Sequence, residues 1–218
     1  MKNNLFKPEA PVWKFMELLL ELVKLNLLFI LTSLPIITVG ASITAMDSVC
    51  FKIKEKRAGY ITDDYFTVFR DNFKNSTIIW IVFLLYLGSL IMTVNSGGLN
   101  RGLMIVLGIA TAIVLTVVIY ALAMLARFDN GLTDTIVKAS FIGIAGFPYI
   151  IVIFLMIASL VLATMTTYLT IFIALPMWIL FGFSAVGYIS AIFFLRIFRR
   201  FTDIKYIEEI ENIMKEAK

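Results

Sequence analysis

Charge is missing from this chain in long blocks: no Asp, Glu, Lys or Arg occurs in residues 75–100, 102–126 or 139–195. The last block, 57 residues, would run roughly 86 Å as one α-helix, against about 30 Å of bilayer hydrocarbon. It has to cross a membrane twice. The hydrophobic fraction is 61% and the charged fraction 16%, where soluble domains carry about a quarter charged residues. The chain therefore reads as an all-α, polytopic transmembrane helix bundle whose surrounding solvent is membrane lipid.

Six membrane segments are predicted, at residues 13–34, 41–51, 77–94, 103–125, 141–163 and 168–195. Between the first two lies Pro35-Ile36-Ile37-Thr38-Val39-Gly40, where proline blocks helix continuation and glycine permits a sharp reversal. A rival reading treats residues 25–51 as one kinked span, giving five segments and an external amino terminus. Lysine and arginine near span ends favour the cytoplasmic side. With six segments and a cytoplasmic start, only Arg101 of the 19 basic residues falls outside, while Lys24 lies within the first segment. The expected placement is a multi-pass protein of the cell membrane with both termini cytoplasmic. Residues 1–14 lack the apolar core and cleavage site of a secretory signal, so the first span is expected to act as its own targeting signal. Residues 1–200 form the transmembrane domain with its interfacial helices, and residues 201–218 a cytoplasmic amphipathic helix.

Two short amphipathic helices are expected at the inner face. Thr62 with Asp63 and Asp64 suits a helix start, and Tyr65, Phe66, Phe69 and Phe73 then recur at helical spacing beside Arg70 and Lys74. The same pattern suits a helix lying on the membrane and one packed under the bundle, with a partner-docking helix as the third reading. The second begins near Thr133, with Thr133 or Asn130 as its cap, after a segment where Asp129 is placed to pair with Arg127 or a neighbouring inner loop. In the tail, Ile204, Ile207, Ile210, Ile213 and Met214 gather on one side, for folding back or for binding another subunit.

Glu17, Glu21 and Lys24 share one face of the first helix, with Glu21 the local partner for Lys24 and Asp47 on the second segment the long-range one. Ionisable groups at membrane depth suggest function. The alternatives are an ion or proton path, a structural clamp, and a first helix riding the interface as far as Lys24. The remaining spans carry no Asp, Glu, Lys or His at depth to continue a path.

The chemistry that the residues exclude is broad. There is no histidine and only one cysteine, Cys50, which removes histidine-based nucleophile systems, His-ligated metals, thiolate cages and internal disulfides. Cys50 reads as a small packed residue. No Gly-x-x-x-x-Gly-Lys-Ser/Thr loop is present to bind ATP. Gly182, Ser184 and Gly187 lack hydrolase spacing and read as small residues for close helix packing, while Pro148 and Pro176 are expected to kink their spans. No catalytic residue, metal, cofactor or nucleic-acid partner is expected, and the chain reads as a non-enzyme.

Asn26-Leu27-Leu28, then Ser33-Leu34-Pro35-Ile36-Ile37-Thr38-Val39-Gly40-Ala41, a short apolar run, a basic turn and the stretch from Tyr65-Phe66 to Phe73-Lys74 resemble the YesL family of bacterial integral membrane proteins, found largely in Firmicutes. Ala126-Arg127-Phe128-Asp129-Asn130 resembles that family's second landmark. The family has no established activity, and its members are commonly encoded beside carbohydrate ABC importers, two-component sensors and glycoside hydrolases. The resemblance implies an accessory or regulatory subunit of sugar uptake, with importer permease or ATPase subunits as partners. It places structural weight on Asn26, Pro35, Thr38 and Gly40. An independent small-solute or ion transporter and a membrane sensor relaying importer state are the competing readings.

Overall fold

The computed structural model describes residues 11–96, 100–128, 131–164 and 176–216, which hold helices and no strand. Helix α1 spans Pro11–Ser33, a 3-10 turn follows at Ile36–Thr38, and α2 spans Val39–Lys54. Helices α3, Ile61–Asn95, α4, Arg101–Leu125, and α5, Leu132–Thr164, come next. A π-helical turn at Trp178–Gly182 leads into α6, Phe183–Glu216.

Among the described residues, four stretches are long and apolar enough to cross a membrane: Ile36–Lys54, Ile61–Asn95, Arg101–Leu125 and Trp178–Phe201. Helix α1 is not one of them, because Lys14, Glu17, Glu21 and Lys24 interrupt its apolar surface. The start of the predicted sixth segment and the Asp129-Asn130 pair lie outside the described residues.

The first two helices are separated at the predicted turn, by the 3-10 segment Ile36–Thr38. Leu22 of α1 meets Ser184 of α6, and Phe29 meets Phe183, so α1 crosses α6 at its start. Met46 and Cys50 of α2 face Gly187, while Phe51 meets Phe194 and Phe198, so α2 and α6 run parallel. Thr32 Oγ1 and Ser42 Oγ bond at 2.9 Å across the turn between α1 and α2.

The two amphipathic stretches are not separate elements but the opening turns of α3 and α5. No proline or glycine stands between Thr62 and Thr77 to break α3, which at 35 residues is roughly 52 Å long and outreaches the hydrocarbon. Tyr65 is fully buried, and Phe66 and Phe69 pack against the core. Packing onto the bundle thus wins over lying flat on lipid. Asp63 and Asp64 do sit in the first turn, but Tyr60 holds the cap position and Thr62 is already helical. Helix α4 is capped by Asn100, whose Oδ1 accepts from the Leu103 N–H at 2.8 Å. Helix α5 is continuous through Pro148, and the irregularity expected at Pro176 is the π-turn beginning two residues later.

Helix α2 is the centre of the molecule, buried from Gly40 to Phe51 apart from Ile43. It packs against α3 through Gly40, where an added Cβ would stand 2.6 Å from Trp80 Cβ and 2.7 Å from the Ser76 carbonyl oxygen. Its buried wall is completed by Thr116, Val118 and Tyr120 to Leu125 of α4 and by Ala191, Phe194, Leu195, Ile197 and Phe198 of α6. Helix α2 ends with Lys56 at φ 55°. The Lys56 N–H donates to Ile53 O and the Arg57 N–H to Lys52 O, a left-handed closure that glycine usually supplies.

Candidate functional site

Two constellations stand out, one inside the bundle and one at its charged end. The first is built on Asn26, which has no exposed surface. Its Nδ2 donates to the carbonyls of Trp178 at 3.0 Å and Ile179 at 2.7 Å, while its Oδ1 accepts from the Ser184 N–H at 2.9 Å. Ser184 Oγ donates back to Leu22 O at 2.8 Å. A π-turn displaces backbone groups from the regular α-helical ladder, and in an apolar medium such groups need partners. Asn26 supplies them. Gly182 allows the turn to close on its own Trp178 ring, which an added Cβ would approach to 2.4 Å.

The hairpin residues shape the neighbouring turn. Pro35 O accepts from both the N–H and the Oγ1 of Thr38, and Thr38 Oγ1 is also 2.6 Å from Thr32 O. Trp80 Nε1 donates to Ile36 O at 2.8 Å, fastening the turn to α3. Thr32 Oγ1 bonds to the hydroxyls of Ser42 and Tyr65, which joins α1, α2 and α3. Thr44 and Ser76 bond at 2.9 Å between α2 and α3.

The expected acidic-basic cluster is not assembled. Glu17 and Lys24 lie exposed on α1, Glu21 is half-buried, and Asp47 is buried within α2. None of the ion pairs among the described residues includes any of them. The reason is rotational: Leu22, Leu25, Asn26 and Phe29 occupy the inward face of α1, which turns Glu17 and Lys24 away from α2.

At the charged end, Lys52 pairs with Asp64 at 2.6 Å, and Asp64 also accepts from the Gly59 N–H. Glu55 bonds to Arg57 and, at 2.7 Å, to Arg127, which binds the end of α2 to the end of α4. Arg127 thus has a partner in Glu55, a residue the sequence reading overlooked; Glu55 is the one acidic side chain in the basic run 52–57. Burial acts to raise the Glu55 pKa, but hydrogen bonds and charge from Arg57 and Arg127 outweigh it and hold the carboxyl below its ordinary range. Phe69 and Phe73 meet edge to face along α3 at 5.5 Å, with Phe73 and Arg70 exposed. Cys50 is buried and free, and Gly187 packs against it and Met46. Three or more metal-ligating side chains are not grouped anywhere among the described residues.

The sequence profile of a family described as "Protein of unknown function, DUF624" matches residues 22–95, from the inward face of α1 through the end of α3. Over that stretch the chain is similar to an uncharacterised family of membrane proteins. No curated protein and no solved structure matches the chain.

Proposed function

We propose that this chain is a non-enzymatic accessory or regulatory subunit of a carbohydrate ABC importer, of the YesL kind, in the cell membrane with its basic end and both termini cytoplasmic. The observation that carries the reading is the outward face of α1. Trp13, Glu17, Leu20, Lys24, Leu27 and Leu31 recur at alternating intervals of four and three, and all are exposed; Leu20 is 62%, Leu27 49% and Leu31 63% exposed. That spacing is the seam of a helix that packs lengthwise against another.

Lys24 is level with Ser184, roughly 18 Å along α6 from Arg196 at 1.5 Å per residue, and so within membrane depth. A charged group facing lipid there costs about 2.5–3.5 kcal/mol, whereas a partner helix of complementary charge removes that cost. Two copies of this chain in one orientation would set Lys24 against Lys24 and Glu17 against Glu17. A different polypeptide fits better.

A photo-crosslinking residue at Leu20 or Leu27, introduced in cells, is expected to capture an importer permease identified by mass spectrometry, and one at Val82 on the exposed side of α3 is not. Capture of lipid alone, or of a second copy, would refute the reading. The sensor alternative draws support from the continuity of α6, which passes unbroken from the apolar stretch to Glu216. Deleting residues 202–218 would then abolish the sugar response while leaving assembly intact.

A further inference from the structure

The charged end holds a second feature that the importer reading does not use. Ile192, Leu195, Arg196, Arg199 and Arg200 of α6, with Lys54 at the end of α2, line a cleft of about 470 Å³. Residues 192, 195, 196 and 199 follow helical spacing, so one face of α6 passes from apolar to cationic within two turns. Lys54 Nζ is fixed 3.6 Å above the centre of the Tyr188 ring. Four cations therefore converge on one space, and no carboxylate is among its described lining residues. None of the ion pairs among the described residues involves Lys54, Arg196, Arg199 or Arg200.

Elsewhere at this end the pattern differs: Lys52 has Asp64, and Arg57 and Arg127 share Glu55. Cations gathered without a counter-charge among the described residues repel one another, and arginine's planar fork matches the oxygens of a phosphate. The position selects the source of that phosphate. The arginines stand at the end of the apolar stretch Trp178–Phe201, and Ile192, 39% exposed, continues the cleft along the apolar flank where an acyl chain would lie. A free anion would use the arginines and leave Ile192 unused.

We propose that this cleft binds the phosphate headgroup of an anionic phospholipid, with one acyl chain laid along Ile192. Basic pockets beside membrane helices at the polar boundary suit such headgroups.

The test is native mass spectrometry of the full chain released from mild detergent, titrated with phosphatidylglycerol or phosphatidylcholine. The wild type is expected to retain phosphatidylglycerol at least about tenfold more strongly than phosphatidylcholine. The triple variant Arg196→Gln, Arg199→Gln, Arg200→Gln loses that preference, and Arg70→Gln with Lys74→Gln on α3 keeps it. Lys54→Gln, a milder change, weakens the preference and serves if circular dichroism shows the triple variant misfolded. Equal retention of the two lipids by the wild type, or full retention of phosphatidylglycerol by a folded triple variant or, where that variant misfolds, by Lys54→Gln, would overturn the proposal. So would displacement of the lipid by millimolar inorganic phosphate, which would assign the cleft to a soluble anion.

Discussion

The carboxamide of Asn26 holds the carbonyl of Trp178 at 3.0 Å across 152 residues of sequence. With the bonds to Ile179 and Ser184, one small side chain on α1 completes the backbone of an irregular turn on the last described span. Asn26→Ala removes three hydrogen bonds and leaves buried backbone groups without partners in an apolar surrounding. A loss of about 2–4 kcal/mol is expected from the net worth of such bonds. Ser184→Ala, which deletes only the hydroxyl, should cost about 1 kcal/mol. Thermal unfolding in detergent followed by tryptophan fluorescence checks both; an Asn26→Ala protein as stable as the wild type would contradict the clasp.

Gly40 and Gly88 predict opposite responses to the same substitution. A methyl group at Gly40 would press on the Ser76 carbonyl and the Trp80 side chain, both closer than 3 Å, so Gly40→Ala should destabilise by about 1–3 kcal/mol. Nothing lies within 4 Å at Gly88. Gly88→Ala, two turns inside the C-terminal end of α3, should raise stability by about 0.5–1 kcal/mol. The same unfolding measurement separates them.

Lys56 occupies a left-handed conformation at the end of α2. An L-residue with a Cβ pays about 1–2 kcal/mol there, part of which Lys56→Gly recovers, less the extra chain entropy that glycine loses. A gain of about 0.5–1 kcal/mol is expected. A lower midpoint for Lys56→Gly would show that the lysine side chain contributes contacts of its own.

Lys24 and Asp47 are not paired, so their substitutions should be independent. In a double-mutant cycle, Lys24→Gln and Asp47→Asn are expected to add within about 0.5 kcal/mol. A larger coupling energy would restore the ion pair that the spacing suggested.

Glu55 makes stability sensitive to acid. Its folded-state pKa lies below the ordinary 4.5, so the stabilisation is complete above that value. It is lost as pH falls through the depressed folded value. The wild type should lose midpoint temperature on acidification below 4.5, and Glu55→Gln, 12% exposed at its wild-type side chain and joined to Arg127, should lack that part of the slope. Parallel wild-type and Glu55→Gln profiles would remove Glu55 from the acid response.

Local grammar carried much of the fold. Uncharged runs longer than a bilayer is thick required several spans, and Pro35 followed by Gly40 located the first break between helices, because proline and glycine constrain the backbone whatever surrounds them. Helix spacing correctly put Glu17, Glu21 and Lys24 near one another on α1. It could not say which way they turn, since that rotation is set by how Leu22, Leu25 and Phe29 seat against α2 and α6.

The long-range chemistry was decided only in three dimensions. Nothing near Asn26 in sequence signals a π-turn 152 residues later, and nothing near Arg127 singles out Glu55 as its counter-charge. The amphipathic stretch after Thr62 joins α3 because no residue breaks the helix and its aromatic face finds the core. Composition and short-range patterning thus determined the medium, the helices and one turn, as these depend on residues within a few positions of each other. Which polar groups meet depends on packing between distant helices, and that was settled by the tertiary structure alone.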